Sequence, residues 1–264
     1  MTPVGGKTAA RSLLIAPILF CAHSDLHPYG ANLPADLPTL LIPMATYLIT
    51  GANRGIGTEY CRQLQARGDA VIAACRTVSP ELEALGVRIE TGVDISSDAA
   101  IAGLVERLDG LPLDGLIHNA GILERTNLED LDLESIRRQF EVNAMSPLRL
   151  TAALLGQLHA GSKLILMTSR MGSIDDNSSG GSYGYRMSKV ALCMAGKSLS
   201  IDLKPRGIAV AILHPGLVST RMTSFHPQGI SPEQAVRGLL ERIDALNLEN
   251  SGSFWHANGE LLPW

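Results

Sequence analysis

Short apolar runs alternate with amphipathic stretches along most of this chain. Runs of strand length occur at 45–50, 70–75, 87–91, 113–118, 163–168 and 207–213. Stretches with helical periodicity occur at 55–67, 97–108, 133–158, 184–203 and 231–245. Because the apolar runs are nearly continuous, they suit parallel strands that are buried on both faces. The pattern predicts an α/β fold, in which one doubly wound parallel sheet is flanked by helices and closed by a last strand near 252–255.

Residues 1–43 do not share this pattern. The ten apolar residues 13–22 follow Lys7 and Arg11, as in a secretory signal, but are too few to span a bilayer. Residues 27–43 contain four prolines and no periodicity, and Met44 stands directly before the first predicted strand. We expect 1–43 to be an extension outside the fold, either a translation start placed too early or a targeting segment. Residues 44–264 are then a single domain.

Charge and cysteine usage exclude several classes of function. The net charge is -4 and charged residues make up 18% of the chain, which gives no basis for binding nucleic acid or an acidic membrane surface. The four cysteines are scattered without metal-ligand spacing. They are typical of reduced thiols in a cytosolic protein, so we expect a cytoplasmic protein without a metal site or a disulfide framework.

A glycine-rich loop follows the first predicted strand and leads into the first predicted helix. Gly51, Gly55 and Gly57 let the backbone turn tightly and approach a pyrophosphate at a helix N-terminus. The second strand ends in Arg76 rather than in the acid that would bind the ribose hydroxyls of NAD. With Arg54 as a second cation, the loop favours NADP(H), and NAD(H) remains the alternative.

Tyr185 and Lys189 are four residues apart in a predicted helix and therefore lie on one face of it. Alone, such a pair is more typical of a solvated helix surface. A nearby ammonium would pull the pKa of the phenol from about 10 toward neutrality, where it can exchange a proton with an alcohol or ketone. Tyr183 is rotated from Tyr185 by about 200°, so we expect it to line the pocket or to pack.

Seven segments in a fixed order resemble the short-chain dehydrogenase/reductase family. They are the glycine loop 50–57, Asp94, the His-Asn-Ala-Gly run 118–121, Asn143, Ser169, the Tyr185/Lys189 pair and the Pro-Gly segment 215–220. The resemblance covers 44–264 and implies a Rossmann-type fold. Residues 171–188 and 254–264 resemble, more narrowly, the C-factor-like and sniffer-type carbonyl reductase branch. That branch reduces ketones, aldehydes and quinones with NADPH, and some members are described as signalling proteins.

The resemblance assigns a role to each site residue. Tyr185 would be the general acid/base, with Lys189 lowering its pKa and binding the nicotinamide ribose. Ser169 would orient the carbonyl oxygen, and Asn143 would hold a water that links Lys189 to solvent. The predicted cofactor-binding residues are Gly51, Asn53, Arg54, Gly55, Ile56, Gly57, Arg76, Asp94, Asn119, Ala120, Gly121, Tyr185, Lys189, Pro215, Gly216, Val218 and Thr220.

The predicted function is therefore NADPH-dependent, reversible reduction of a small carbonyl compound, by a homodimer or homotetramer. The alternative is a cofactor-binding sensor or signalling protein with little turnover. The apolar residues of segment 217–230, which would form the substrate lid, favour a hydrophobic substrate. A Ser/His hydrolase is excluded because Ser169 does not lie in a Gly-x-Ser-x-Gly turn.

Overall fold

Parallel strands form the centre of the protein, for which a computed structural model describes residues 45–264. The strands are β1 (Thr46–Thr50), β2 (Ala70–Ala74), β3 (Arg88–Glu90), β4 (Leu113–His118), β5 (Leu158–Met167), β6 (Ala209–His214) and β7 (Phe254–His256). Their order in the sheet is β3-β2-β1-β4-β5-β6-β7, and every neighbouring pair is parallel. The predicted doubly wound parallel sheet is confirmed. The predicted extension 1–43 lies outside the described residues.

Helices cover both faces of the sheet. They are α1 (Gly55–Ala66), α2 (Pro80–Glu83), α3 (Asp98–Leu108), α4 (Leu133–Phe140), α5 (Ser146–Ala153), α6 (Tyr183–Asp202) and α7 (Pro232–Asp244). Apolar residues of α1 and α7 pack in one core layer, and those of α3, α5 and α6 pack in the other. No helix within 45–264 is both long and apolar enough to cross a membrane.

The prediction of one helix over 133–158 is wrong. A π-helical turn, Glu141–Met145, separates α4 from α5, and β5 already begins at Leu158. Pro147 is a physical reason for the interruption, because it has no N–H to donate to the carbonyl of Asn143, four residues earlier. The backbone amide of Ser146 instead donates to the carbonyl of Glu141, and its hydroxyl donates to the same oxygen at 2.7 Å.

The strand order creates a crevice at one edge of the sheet. The chain leaves β1 toward β2 on one side, and it later returns to pair β4 with β1 on the other side. Connections that diverge from adjacent strands leave a gap at the carboxyl ends of those strands, where ligands bind in open α/β sheets. The glycine loop follows β1 and the residues 118–121 follow β4, so both lie at this gap.

Candidate active site

A cleft of about 450 Å³ opens at the carboxyl ends of the strands. Most of the predicted cofactor-binding residues line it: Gly51, Asn53, Arg54, Gly55, Ile56, Gly57, Arg76, Asp94, Asn119, Ala120, Gly121, Tyr185, Lys189, Pro215 and Thr220. Two predicted residues do not. Val218 is buried and pairs with Ile230 in an isolated bridge, and Gly216 lies beside the ring of His256. The sequence motif placed these two residues next to the cleft without fixing which way they face.

The glycine loop brings backbone amides close to the cleft at the start of α1. Gly51 has a φ of +65°, and a Cβ on it would lie 2.8 Å from the Cα of Ala120. A Cβ on Gly57 would lie 2.7 Å from Nδ2 of Asn119 and would also collide with the carbonyl of Gly51. Because α1 begins at Gly55, its unpaired N–H groups and positive dipole end face the place where an anion would lie.

Side chains from β1 and β4 hold this loop in place. The hydroxyl of Thr50 accepts hydrogen bonds from the amides of Asn119, at 3.1 Å, and Ala120, at 3.2 Å. The amide of the Asn119 side chain donates to the carbonyls of Thr50, at 3.0 Å, and Gly51, at 3.2 Å. The hydrogen bonds of Asn119 therefore fix the glycine loop against the end of β4.

Charged residues surround the end of β2. Arg54 and Arg76 are exposed on the cleft wall, and neither has a carboxylate within 4.0 Å among residues 45–264. Asp94 accepts hydrogen bonds from the hydroxyl of Ser96, at 2.6 Å, and from its amide, at 3.0 Å. Those bonds, with a smaller contribution from the charge of Arg76, lower the pKa of the Asp94 carboxyl. Glu81 also lines the cleft and was not predicted.

Ser169, Tyr185 and Lys189 lie close together: Tyr185 and Lys189 line the cleft, and Ser169 lies behind its wall, within hydrogen-bond reach of Tyr185. Ser169 caps the turn after β5, while Tyr185 and Lys189 lie one helical turn apart on α6. All three side chains are buried, with 9%, 7% and 5% of their surfaces exposed. The ammonium nitrogen of Lys189 lies 5.6 Å from the centre of the Tyr185 ring. The structure thus brings Ser169 together with the Tyr185/Lys189 pair, which belongs to a different motif of the sequence.

In the cofactor-free protein, burial is the largest influence on the pKa values of Tyr185 and Lys189. It raises the pKa of Tyr185 to about 12, although a hydrogen bond with Ser169 acts in the opposite direction. It lowers the pKa of Lys189 to about 8. This differs from the expectation that Lys189 draws the phenol pKa toward neutrality. The ammonium donates instead to the carbonyl of Met167, at 2.9 Å.

Asn143 lies in the π-helical turn and is fully buried, so it does not reach the cleft wall. Its side-chain oxygen accepts from the amide of Ile122 at 2.8 Å, and its nitrogen donates to the carbonyl of Ile122 at 2.9 Å. The same nitrogen donates to the hydroxyl of Ser188 at 3.0 Å, and that hydroxyl donates to the carbonyl of Tyr185. Asn143 thereby ties the loop after β4 to the helix that carries Tyr185.

The neighbouring hydroxyl groups of Tyr183, Ser173 and Thr168 have other partners or surroundings than Tyr185, although Thr168 also lines the cleft. Tyr183 lines a second cavity of about 440 Å³ on the other side of α6, together with Phe140 and Met187. Ser173 is buried at that cavity, where it accepts from the amide of Asp176 at 3.1 Å. Thr168 lies 3.3 Å from the sulfur of Cys193. The rotation between Tyr183 and Tyr185 thus separates the two phenols.

Several residues that line the cleft were not predicted as site residues. They are Cys75, Glu81, Val93, Ile95, Ile122, Val142, Met167, Thr168, Ser219, Arg221, Met222, Phe225 and Pro232. Most of them directly adjoin a predicted motif or strand end, so proximity in sequence was the available signal. Met222 and Phe225 belong to the predicted substrate lid 217–230. Both are exposed and provide apolar surface at the mouth of the cleft.

Of two histidines near the strand ends, His118 is buried and His214 is half-buried. Burial lowers the pKa of each to about 3, and the charges of His256 and Arg170 lower that of His214 further in the same direction. His118 pairs with the hydroxyl of Thr151 at 2.8 Å. Neither histidine forms a hydrogen bond with Ser169. Within 45–264, no group of three or more His, Cys, Asp or Glu residues is arranged to hold a metal ion.

Groups suited to binding phosphate and groups suited to proton transfer line different parts of the cleft. The glycine loop leaves room for backbone amides to approach a pyrophosphate, Arg54 and Arg76 offer cations near the end of β2, and Tyr185 with Lys189 lies at the inner end. Tyr185, with Ser169 as its hydrogen-bond partner, therefore places a proton donor on the wall of this cleft.

Several known proteins are similar to this chain in sequence. Residues 45–230 match the family model described as short chain dehydrogenase. The 1-hydroxy-2-glutathionyl-2-methyl-3-butene dehydrogenase of Rhodococcus sp. (strain AD45) is 43% identical over 226 residues, which are 84% of this chain and 100% of that protein. The C-signal of Myxococcus xanthus is 45% identical over 156 residues, 58% of this chain and 93% of that protein.

Solved structures share the fold. The carbonyl reductase Sniffer of D. melanogaster is 28% identical and superposes with a TM-score of 0.78 over 84% of this chain and 100% of its own. An NADPH bound carbonyl reductase from chicken fatty liver is also 28% identical, with a TM-score of 0.75 and the same coverage. These similarities confirm the predicted relation to C-factor-like proteins and sniffer-type carbonyl reductases.

Proposed function

The chain belongs to the short-chain dehydrogenase family of oxidoreductases, and on that basis we propose that it reduces a carbonyl compound to an alcohol with NADPH, reversibly. The meeting of Ser169, Tyr185 and Lys189 in one buried site carries this proposal. A protein that only bound a nucleotide would have no use for a phenol, a hydroxyl and an ammonium at the inner end of its cleft.

In the proposed reaction, Tyr185 protonates the oxygen of the substrate. The cofactor, when bound, supplies the hydride. With a pKa of about 12, the phenol holds its proton at neutral pH and can donate it to an alkoxide, which is a stronger base. Ser169 donates a hydrogen bond to the same oxygen and keeps it beside the phenol. Lys189 supplies positive charge that favours the phenolate left behind.

Asn143 keeps these groups in register in this proposal. It links the loop at Ile122 to α6 through Ser188, and so holds the floor of the cleft against the helix that carries the phenol. A Cβ on Gly121 would lie 3.1 Å from the Asn143 oxygen and 3.6 Å from the Lys189 nitrogen. The absent side chain at Gly121 leaves the space between these two polar groups open for the water of the expected proton relay.

NADP(H) is the proposed cofactor because the guanidinium groups of Arg54 and Arg76, which have no carboxylate partner within 45–264, stand at the cleft wall. An arginine binds a phosphate through paired N–H donors, whereas NAD offers only hydroxyl groups at that position. The carbonyl reductase from chicken fatty liver has NADPH bound. Replacing Arg76 by aspartate is expected to raise the ratio of kcat/KM for NADH to that for NADPH by at least tenfold. An unchanged ratio would overturn the preference.

Proton donation by Tyr185 is tested with a matched pair of tyrosine variants. Oxidation of NADPH is followed at 340 nm with a panel of quinones, aldehydes and ketones, and alcohol oxidation is followed in the reverse direction. Tyr185→Phe is expected to lose at least a thousandfold in kcat while the Kd of NADPH changes less than threefold. Tyr183→Phe, two residues away on the other side of α6, serves as the control and should stay active. Activity retained in Tyr185→Phe would refute the assignment.

Signalling with little turnover is the second candidate, and the similarity to the C-signal of Myxococcus xanthus favours it. The two candidates differ in what a broad substrate panel shows. The signalling candidate would be supported if the protein binds NADPH but neither oxidises NADPH with any carbonyl compound nor reduces NADP⁺ with any alcohol. The alcohol panel includes a glutathione thioether because the Rhodococcus relative is named for such a substrate.

We also propose that the protein is a homodimer or homotetramer. Met187, Met194 and Ile201 are 47%, 66% and 63% exposed and recur every seven residues along α6. A stripe at this spacing suits an antiparallel contact with α6 of a second copy. Light scattering after gel filtration tests this, with Met194→Glu expected to give monomers. A monomeric wild-type protein would overturn it.

A further inference from the structure

The segment that follows β7 folds back over the end of the sheet. The amide of His256 donates to the carbonyl of Glu260, and the amide of Leu262 donates to the carbonyl of Phe254, both at 2.8 Å. Leu262 is buried, and the ring of Trp264 stacks on that of Phe254 with centres 5.6 Å apart. We call residues 254–264 the closing hairpin. Its backbone pairing and its buried leucine give it one defined position.

Two contacts join the closing hairpin to the segment directly after Ser169. The guanidinium of Arg170 donates to the carboxylate of Glu260 at 2.7 Å. The amide of Asp175 donates to the carbonyl of Trp264 at 2.8 Å. Arg170 also lies 3.3 Å from the carboxylate of Asp176, so its charge is held between the hairpin and its own loop.

The same loop fixes the hydroxyl of Ser169. Residues Arg170–Gly172 form a single 3₁₀ turn that Ser169 caps. The Ser169 hydroxyl accepts from the amide of Met171 at 3.2 Å, and the Ser169 carbonyl accepts from the amide of Gly172 at 2.7 Å. A shift of this turn would therefore move the hydroxyl relative to Tyr185.

We propose that Glu260 and Trp264 are positioning residues, which hold the turn after Ser169 so that its hydroxyl stays aligned with the phenol of Tyr185. This inference rests on the proposed role of Ser169 in carbonyl reduction. Neither residue touches the cleft, and both act through Arg170 and Asp175. A substrate oxygen must meet two donors at once, so a small displacement of one donor lowers the rate without unfolding the protein.

A purely structural role of these contacts would appear as a lower unfolding temperature when they are lost, whereas a positioning role would not. Arg170 is 40% exposed and Glu260 is 49% exposed, and ion pairs at such sites contribute little to global stability. Loss of the pair should therefore leave the unfolding temperature nearly unchanged. Its effect is expected in kcat, which depends on the alignment of donors, and not in the affinity for NADPH, which binds along the glycine loop.

The kinetic test is a double-mutant cycle on full-length protein. Glu260→Gln and Arg170→Gln are each expected to lower kcat for carbonyl reduction five- to twentyfold, with the Kd of NADPH within a factor of two. The double variant should lose no more than the worse single variant, because both changes break one contact. Glu233→Gln, which breaks an exposed pair with Arg237 on α7, is the matched control and should keep its kcat.

Amide hydrogen exchange measures how firmly the turn after Ser169 is held, and it needs no catalytic activity. The amides of Met171, Gly172 and Asp175 are expected to be protected in the wild-type protein. They should exchange at least tenfold faster in Trp264→Ala, which removes the stack that seats the Trp264 carbonyl. Glu260→Gln should also speed exchange at Met171 and Gly172.

These readouts separate the two proposals. Wild-type protein that turns over no substrate would refute the reductase function, while exchange would still show whether the hairpin holds the Ser169 turn. Unchanged exchange in both variants would overturn the positioning role. So would an unchanged kcat in Glu260→Gln, or a loss of NADPH affinity in parallel with kcat.

Discussion

Replacing Lys189 by methionine is expected to stabilise the cofactor-free protein at neutral pH. The lysine is 5% exposed, and burial lowers its pKa from 10.5 to about 8. Below pH 8 the folded protein must keep this amine charged in a poorly solvated site. A depression of that size corresponds to roughly 3 kcal/mol of folding free energy, part of which the hydrogen bond to Met167 offsets.

The sign of the pH dependence follows from the two states. The unfolded chain keeps its proton up to pH 10.5, whereas the folded protein releases it near pH 8. Between these values the unfolded state binds more protons than the folded state. The contribution of Lys189 to the free energy of unfolding therefore rises with pH. The advantage of Lys189→Met over the wild-type protein is therefore expected to shrink by about 2 kcal/mol between pH 6.5 and pH 9.5.

Urea unfolding of both proteins, without cofactor, measures this difference at each pH. The comparison cancels the titration of all other groups, because they are common to both chains. Lys197→Met is the control, since Lys197 lies on the same helix but is exposed. Its stability difference from wild type should not vary over this range. A constant difference for Lys189→Met as well would show that burial does not hold Lys189 in a strained charged form.

Three further results are expected. Asn143→Ala, which leaves the amide and carbonyl of Ile122 and the hydroxyl of Ser188 without their partner, should destabilise the protein by about 2–4 kcal/mol in urea unfolding. Gly57→Ala should raise the Kd of NADPH at least tenfold, measured by fluorescence, because its Cβ displaces the glycine loop. The value of kcat/KM for NADPH, which reports groups of the free enzyme, should fall tenfold per pH unit above about pH 8 as Lys189 loses its proton. A flat profile to pH 9.5 would contradict the last of these.

The sequence predicted the order of strands and helices because each parallel strand is a short apolar run with its own period. It also predicted that Tyr185 and Lys189 share a helix face, since that depends only on helical geometry. The break between α4 and α5 was missed because residues 133–158 are uniformly helical in pattern. Pro147 was the available signal, as its missing N–H frees the carbonyl of Asn143.

What could not be predicted depends on contacts between distant segments. Val218 and Pro215 belong to one motif, yet only Pro215 lines the cleft. Val218 is buried instead, and its backbone pairs with that of Ile230. The pKa of Tyr185 is set by the burial of the site, which raises it, and by the hydrogen bond with Ser169, which lowers it. Local spacing therefore identified the groups of the site but neither their orientation nor their protonation.

The contact between Arg170 and Glu260 spans 90 residues and has a consequence for synthesis of the protein. A ribosome makes Ser169, Tyr185 and Lys189 well before it reaches the closing hairpin. While residues 254–264 are still in the exit tunnel, the nascent chain has the reactive groups but lacks the contacts that hold the turn after Ser169. The closing hairpin is therefore the part of the described fold that is made last, and the turn after Ser169 gains its Arg170–Glu260 contact only once that hairpin has been made.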